Sequence, residues 1–308
     1  MNQSRSGVLV LDKPVGKTSR EALDRLGQIL PRLKMGHAGT LDPMACGVLV
    51  VCTGKATRLI PYVQRMRKQY AATMRLGQRS STHDLEAPVE VVPFTGQIGL
   101  ASVERCLSKF RGEIWQVPPQ HSAVHVRGRR AYEMARKGET VELQPRCVSV
   151  ERLACAGFEY PVVQLEVVCS SGTYVRSLVR DIGEDLGCGA VMTGLVRTAV
   201  GPFGLADALN IDGLNPQAVA ARLLPSLAAV QELSAVPVPD NQLEHIAHGR
   251  AIEASLSAEP LTPAEEVALL DSAGELVAVA QLDPSGRLLR PHIVLIERST
   301  GEQVSGEW

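Results

Sequence analysis

Nowhere in this 308-residue chain does an apolar run extend far enough to span a bilayer. The opening "MNQSRSGVLVLDKPVGK" turns apolar for only five residues before Asp12 and Lys13, too short for a signal peptide. A Cys-x-x-Cys pair is also missing: the seven cysteines are odd in number and irregularly spaced, which suits reduced thiols. These absences lead us to expect a cytoplasmic protein with no membrane contact. Low-complexity and heptad segments are lacking too, and the 45% hydrophobic content is ordinary for a globular chain.

Several kinds of chemistry lose their usual signatures. "GVLVVCTGKAT" imitates a phosphate-binding loop, but six residues rather than four separate Gly47 from Gly54, and Ala56 replaces the hydroxyl that would hold magnesium. There is no G-x-S-x-G nucleophile elbow, no dinucleotide fingerprint, and no H-x-E with P-C-x-x-C. His245 and His248 can share one helical face, yet no third ligand lies near them, so we expect no metal.

What is present is an uneven charge distribution. The net charge is −1, but residues 1–75 carry 13 Lys and Arg against 4 Asp and Glu, whereas residues 236–308 carry 4 against 12. A basic first quarter and an acidic last quarter suggest that a polyanion approaches the N-terminal part, although solvated surface accounts for some of such asymmetry.

"GVLVLDKP" reads as a short buried strand, and "TSRE" (Thr18 to Glu21) as a capping box before a helix with apolar residues at Ala22, Leu23, Leu26, Ile29 and Leu30. "GVLVVCTG" is short, β-branched and ends at glycine, the marks of a buried strand. "KQYAATMRLG", "CVSVERLAC" and "PVVQLEVVCS" alternate as strands do, while "SVERCLSKFRG" and "TYVRSLVRDIGEDLG" have helical spacing. The interleaving is irregular, so the pattern predicts an α+β domain rather than a doubly wound sheet. Pro237 and Pro239 interrupt the chain, and short strands separated by Ser-Ala-Gly and Pro-Ser-Gly turns follow. We expect domains at 1–235 and 236–308, the second small and β-rich.

The segment "GHAGTLDPMACGVLVV" (Gly36 to Val51) packs glycines, a threonine and an Asp-Pro pair ahead of the buried strand, so Asp42 sits in a shaped loop with His37 nearby. Tyr70 follows the basic run "QRMRKQY", Arg79 and Asp84 lie in "LGQRSSTHD", and "CSSGTYVRSLVRDIG" carries Tyr174, Arg176 and Arg180. Each also has a plain structural reading: Asp42 as a turn residue, Tyr70 as an edge-strand aromatic, Arg176 as a surface cation.

Five segments taken in order, "GVLVLDKPVGKTS", "GHAGTLDPMACGVLVV", "KQYAATMRLGQRSSTHD", "HSAVHVRGRRAYEMARKGE" and "CSSGTYVRSLVRDIGEDLG", resemble the TruB family of tRNA pseudouridine synthases. The resemblance covers about Gly7 to Leu233, and the tail more loosely resembles the family's PUA-type domain. It implies a largely antiparallel mixed sheet flanked by helices, and isomerisation of uridine 55 in the T-arm loop of tRNA. No metal, organic cofactor or protein partner is implied, and the enzyme is expected to be a monomer. By motif position Asp42 is the catalytic carboxylate, with Arg176 as its partner favouring the anion. His37 would fill the space left by the flipped base, Tyr70 would stack on the uracil, and Tyr174 and Leu195 would line and close the pocket. Asp84 would orient Arg176, and Lys13 would support the catalytic loop. "HVRGRRAYEMARKGE" is a candidate strip for the RNA backbone. The sequence departs from the family pattern at Ala87, His125 and Val196, and in the net acidity of the tail.

Overall fold

The structure is a computed structural model that describes residues 6–120, 125–126, 129–130, 134, 142–254, 261–262 and 264–296. Strand β1 (Gly7–Lys13) and, beyond helix α1 (Ser19–Ile29) and the short β2 (Met35–His37), strand β3 (Ala45–Thr53) pair antiparallel. Their unbroken apolar runs have a physical reason: both faces are covered. Val8, Val10, Val48 and Val50 join a cluster with Leu59, Val63 and Val230. Leu9, Leu11, Leu49 and Val51 point the other way, onto Ala22, Leu23 and Leu26 of α1. The expected capping box starts that helix, with the Thr18 side chain accepting from the Glu21 amide and the Glu21 carboxylate accepting from Thr18 N at 2.7 Å.

The other half of the sheet follows a different plan. Strand β4 (Lys68–Leu76) leads to helix α2 (Leu100–Ser108), then to β5 (Gly112–Gln116), β6 (Arg146–Glu159), β7 (Val162–Cys169), helix α3 (Val175–Asp185) and β8 (Ala190–Val200). The spatial order is β1, β3, β8, β4, β7, β6, β5, with two-residue strands Leu209–Asn210 and Phe203–Gly204 and strand β2 completing ten strands among the described residues. β3 and β8 run parallel, as do β1 and Leu209–Asn210; the remaining pairings in this sheet are antiparallel. On the β4 side, helices α2 and α3 cover one face only, burying Met74, Leu76, Leu165 and Val167 against Val103, Leu178 and Ile182. Gln69, Ala71 and Arg75 face solvent on the other. The sheet is mixed and largely antiparallel with flanking helices, as the sequence led us to expect.

A five-stranded sheet follows: β9 (Ser234–Pro237), β10 (Ile252–Glu253), β11 (Glu266–Leu270), β12 (Leu276–Leu282) and β13 (Leu288–Val294), in the order β9, β11, β12, β13, β10. The turns between β11, β12 and β13 are the Ser-Ala-Gly and Pro-Ser-Gly sequences, with Gly274 and Gly286 at positive φ. One face has its own core of Val236, Val267, Leu269, Val277 and Leu289. The other face delivers Ala268, Leu276, Val279 and Leu295 into the cluster that backs β1 and β3. Polar contacts flank this join: the Tyr62 hydroxyl donates to Glu266 Oε1 at 2.7 Å, and Arg58 Nη1 donates to the Val294 carbonyl at 2.6 Å.

Candidate active site

The loop between β2 and β3 is fixed on both sides of Asp42. Before it, Leu41 is bound twice by Ser19 of α1, whose hydroxyl accepts from Leu41 N at 2.9 Å and donates to Leu41 O at 3.1 Å. After it, Pro43 O accepts from Gly16 N at 2.8 Å, and Ala45 N donates to Asp42 O at 3.0 Å. Gly39 at φ +133° supplies a bend that other residues rarely adopt. The result is a carboxylate held at the entry to a buried strand, with 36% of its side chain exposed.

Arg176 reaches it from the first turn of α3. Its Nη2 lies 2.9 Å from Asp42 Oδ2, and its Nη1 lies 3.3 Å from Asp84 Oδ2 and 3.3 Å from the Thr82 carbonyl, to which it donates. Asp84 is fully buried and is itself held by the Thr82 hydroxyl at 2.6 Å and Glu86 N at 2.9 Å. Two carboxylates thus share one buried guanidinium. Burial pushes the Asp42 carboxyl up; Arg176 pulls it down, Asp84 adds to the rise, and the balance lies above the ordinary carboxylate value. The expectation that Arg176 favours the anion holds as one contribution, but desolvation outweighs it.

Tyr70 lies on β4 directly across from Arg197 of β8, and Leu195, two residues earlier, registers with Ala72 and with Ala45 at the end of the Asp42 loop. Burial raises the Tyr70 phenol, while the Arg197 charge and a hydrogen bond from that side chain oppose the rise. Tyr174 sits just before α3, its amide donating to Gln116 Oε1 at 2.8 Å. His37 ends β2 with Nδ1 buried and without a hydrogen-bond partner among the described residues. Burial lowers its pKa and Arg197 lowers it further, leaving the imidazole neutral at pH 7. Lys13 is fully buried, its Nζ donating to Pro14 O at 2.9 Å and Lys17 O at 2.5 Å, so it shapes the turn that leads into α1.

The structure therefore gathers Asp42, Arg176, Asp84, Tyr70 and Leu195 around one point, with His37 and Lys13 beside the loop. Arg79 and Arg180 lie elsewhere, with His83 and Glu184 around a separate small cavity. Most of the candidate RNA strip from His125 to Glu139 lies outside the described residues. His245 and His248 gather no third ligand, and no cluster suited to a metal occurs among the described residues. Arg197, Ser19 and Gln116 were missed by sequence reasoning. Arg197 falls inside "GLVRTAVG", where a lone cation in a strand carries no signal that it points inward.

Solved RNA–protein and protein complexes share this fold. A solved Cbf5–Nop10–Gar1 complex matches with a TM-score of 0.74 at 27% identity, covering 95% of this chain and 85% of that one. An H/ACA RNP bound to a substrate RNA containing 2′-deoxyuridine matches with a TM-score of 0.72 at 26% identity, covering 96% and 86%. Among curated relatives, the tRNA pseudouridine synthase B of Thermobifida fusca is 42% identical over 286 residues, 89% of this chain and 94% of the relative. That of Pseudomonas fluorescens is 37% identical over 301 residues, 95% and 96%. The model of the TruB family pseudouridylate synthase N-terminal domain matches residues 28–175, and that of the tRNA pseudouridylate synthase B C-terminal domain matches 176–231. The chain belongs to the TruB family of pseudouridylate synthases, which are isomerases. The two matched segments meet at Arg176, so the Asp42–Arg176 pair joins one to the other.

Proposed function

We propose that this chain converts uridine 55 in the T-arm loop of tRNA to pseudouridine, acting in the cytoplasm as a monomer without a cofactor. The observation that carries the reading is the half-buried Asp42 carboxylate paired with Arg176 at 2.9 Å, with Tyr70 and Leu195 on the adjoining strands β4 and β8. The target base is stacked inside a folded loop, so it must be flipped out before Asp42 reaches the ribose, at a cost of a few kcal/mol. Stacking on Tyr70 returns about 1–3 kcal/mol. His37 takes the space the base leaves, and its neutral ring does so without adding charge.

Two routes lead on from there, and both need ionised Asp42. In one, the carboxylate attacks the sugar; in the other it takes a proton from the sugar as a glycal forms. Either way the N1–C1′ bond breaks with its electron pair going to N1 of uracil. The base turns and a C5–C1′ bond forms, which in the first route displaces the Asp42 carboxylate from C1′ and in the second is accompanied by return of the proton from Asp42 to the sugar. The C5 proton then leaves with help from the Tyr70 phenol while N1 gains a proton. Atoms balance without a co-reactant. The basic first quarter of the chain supplies phosphate contacts, and the acidic segment 236–308 braces the catalytic part rather than gripping RNA.

The test uses T-arm RNA tritiated at C5 of the target uracil. The wild type releases the label; Asp42→Asn keeps RNA binding but loses release by at least about 1000-fold, as expected for a group that acts in the chemical step. Equal release from the two proteins would remove Asp42 from its role.

A further inference from the structure

Arg197 is 2% exposed, and no carboxylate lies within 4.0 Å of it among the described residues. Each of its nitrogens donates to a main-chain carbonyl, Nε to Val48 at 2.7 Å, Nη2 to Gly39 at 3.0 Å and Nη1 to Thr40 at 3.4 Å, and the side chain also bonds Tyr70. Burying a cation without a counter-ion costs several kcal/mol, and an apolar side chain of similar volume would fill the space more cheaply. Stability alone therefore does not account for a guanidinium here. Its partners suggest what does. Val48 lies on the strand after Asp42, Gly39 and Thr40 in the loop before it, so one planar group spans both approaches to the carboxylate. The backbones are close as well: β8 and β3 pair at Arg197 and Gly47, where an added Cβ would come within 2.4 Å of the Arg197 carbonyl.

We infer that Arg197 is the positioning residue of the catalytic loop, its fork fixing the Gly39–Thr40 backbone against β3 so that Asp42 stands at a set distance from Tyr70. This rests on the role proposed above for Asp42. Lysine cannot replace it, because a single ammonium on a flexible stem does not reproduce three donors in a fixed plane. The same cation also opposes the effect of burial on the Tyr70 phenol. Loop geometry and the tyrosine's acidity are thus tied to one side chain.

Single-turnover tritium release from T-arm RNA is measured for the full-length wild type, Arg197→Lys and Gly39→Ala, alongside RNA Kd and amide exchange of residues 38–44. A displacement of about 1 Å at a reacting group costs about 100-fold in rate. We expect Arg197→Lys to slow release to that extent, with Kd changed less than about threefold and faster exchange confined to the loop. Gly39→Ala leaves the guanidinium in place and disturbs a carbonyl it holds, so it slows release in the same direction and covers the case in which Arg197→Lys does not fold. Wild-type release rates in either variant would overturn the inference, as would slowing accompanied by faster exchange throughout the protein. Absence of release from the wild type itself would instead defeat the uridine reading.

Discussion

β3 and β4 lie two places apart in one sheet, separated only by β8, and they are built on opposite plans. β3 is buried along nearly its whole length, with α1 on one side and the turns at residues 54–59 and 226–230 on the other. β4 alternates buried and open positions, with one face left to water. A strand clamped on both faces is a firm mount for a loop; a strand open on one face is not. The Asp42 loop is carried by the clamped strand, Tyr70 by the open one, and β8 brings the two together by pairing with both.

The sharpest way to break this comparison is Gly47→Ala. At φ +98°, with a Cβ 2.4 Å from the Arg197 carbonyl, the substitution is expected to cost about 3–5 kcal/mol, read from the urea midpoint. An unchanged midpoint would mean that the clamped half yields after all. Leu49→Ala in the same strand removes a fully buried side chain and should cost about 2–5 kcal/mol in the same measurement. At the meeting point of the two plans, the acid limb of kcat/KM should lie above the ordinary aspartate value of about 3.9. The raised Asp42 pKa means that activity is lost as pH falls through that higher value; a limb at or below the ordinary one would show that burial does not dominate. Tyr62→Phe removes the hydroxyl that meets Glu266 across the join to the second sheet, and is expected to cost about 1 kcal/mol. Smallest of all is Gln69→Ala on the open face of β4, within about 0.5 kcal/mol. A larger loss there would erase the distinction between the strands.

Both plans were legible in the residues, since a continuous apolar run and a period-two alternation signal two covered faces and one. The capping box at Thr18 was equally plain. The partners of Asp42 were harder to read. Ser19 looks like a first-turn helix residue, yet its hydroxyl turns back to hold Leu41, a contact 22 residues away that no local pattern announces. Arg197 was hidden because cations in strands are ordinarily solvated, and only the pairing of β8 with both β3 and β4 turns this one inward. Burial, a property of the whole fold, reversed the direction expected for Asp42 from its arginine alone. The join between the sheets left a trace in "LVAVAQL", which is apolar on both faces like β3.

That join has a historical consequence. Ala268, Leu276 and Val279 of the acidic second sheet share a core with Val48 and Val50 of the strand behind Asp42. A part that shares its interior with another cannot be traded, shed or acquired as a separate piece. Substitutions at Ala268, Leu276 or Val279 alter the packing behind the strand that carries the Asp42 loop. A cut after Pro239 would therefore remove part of the interior that backs β1 and β3 along with the tail.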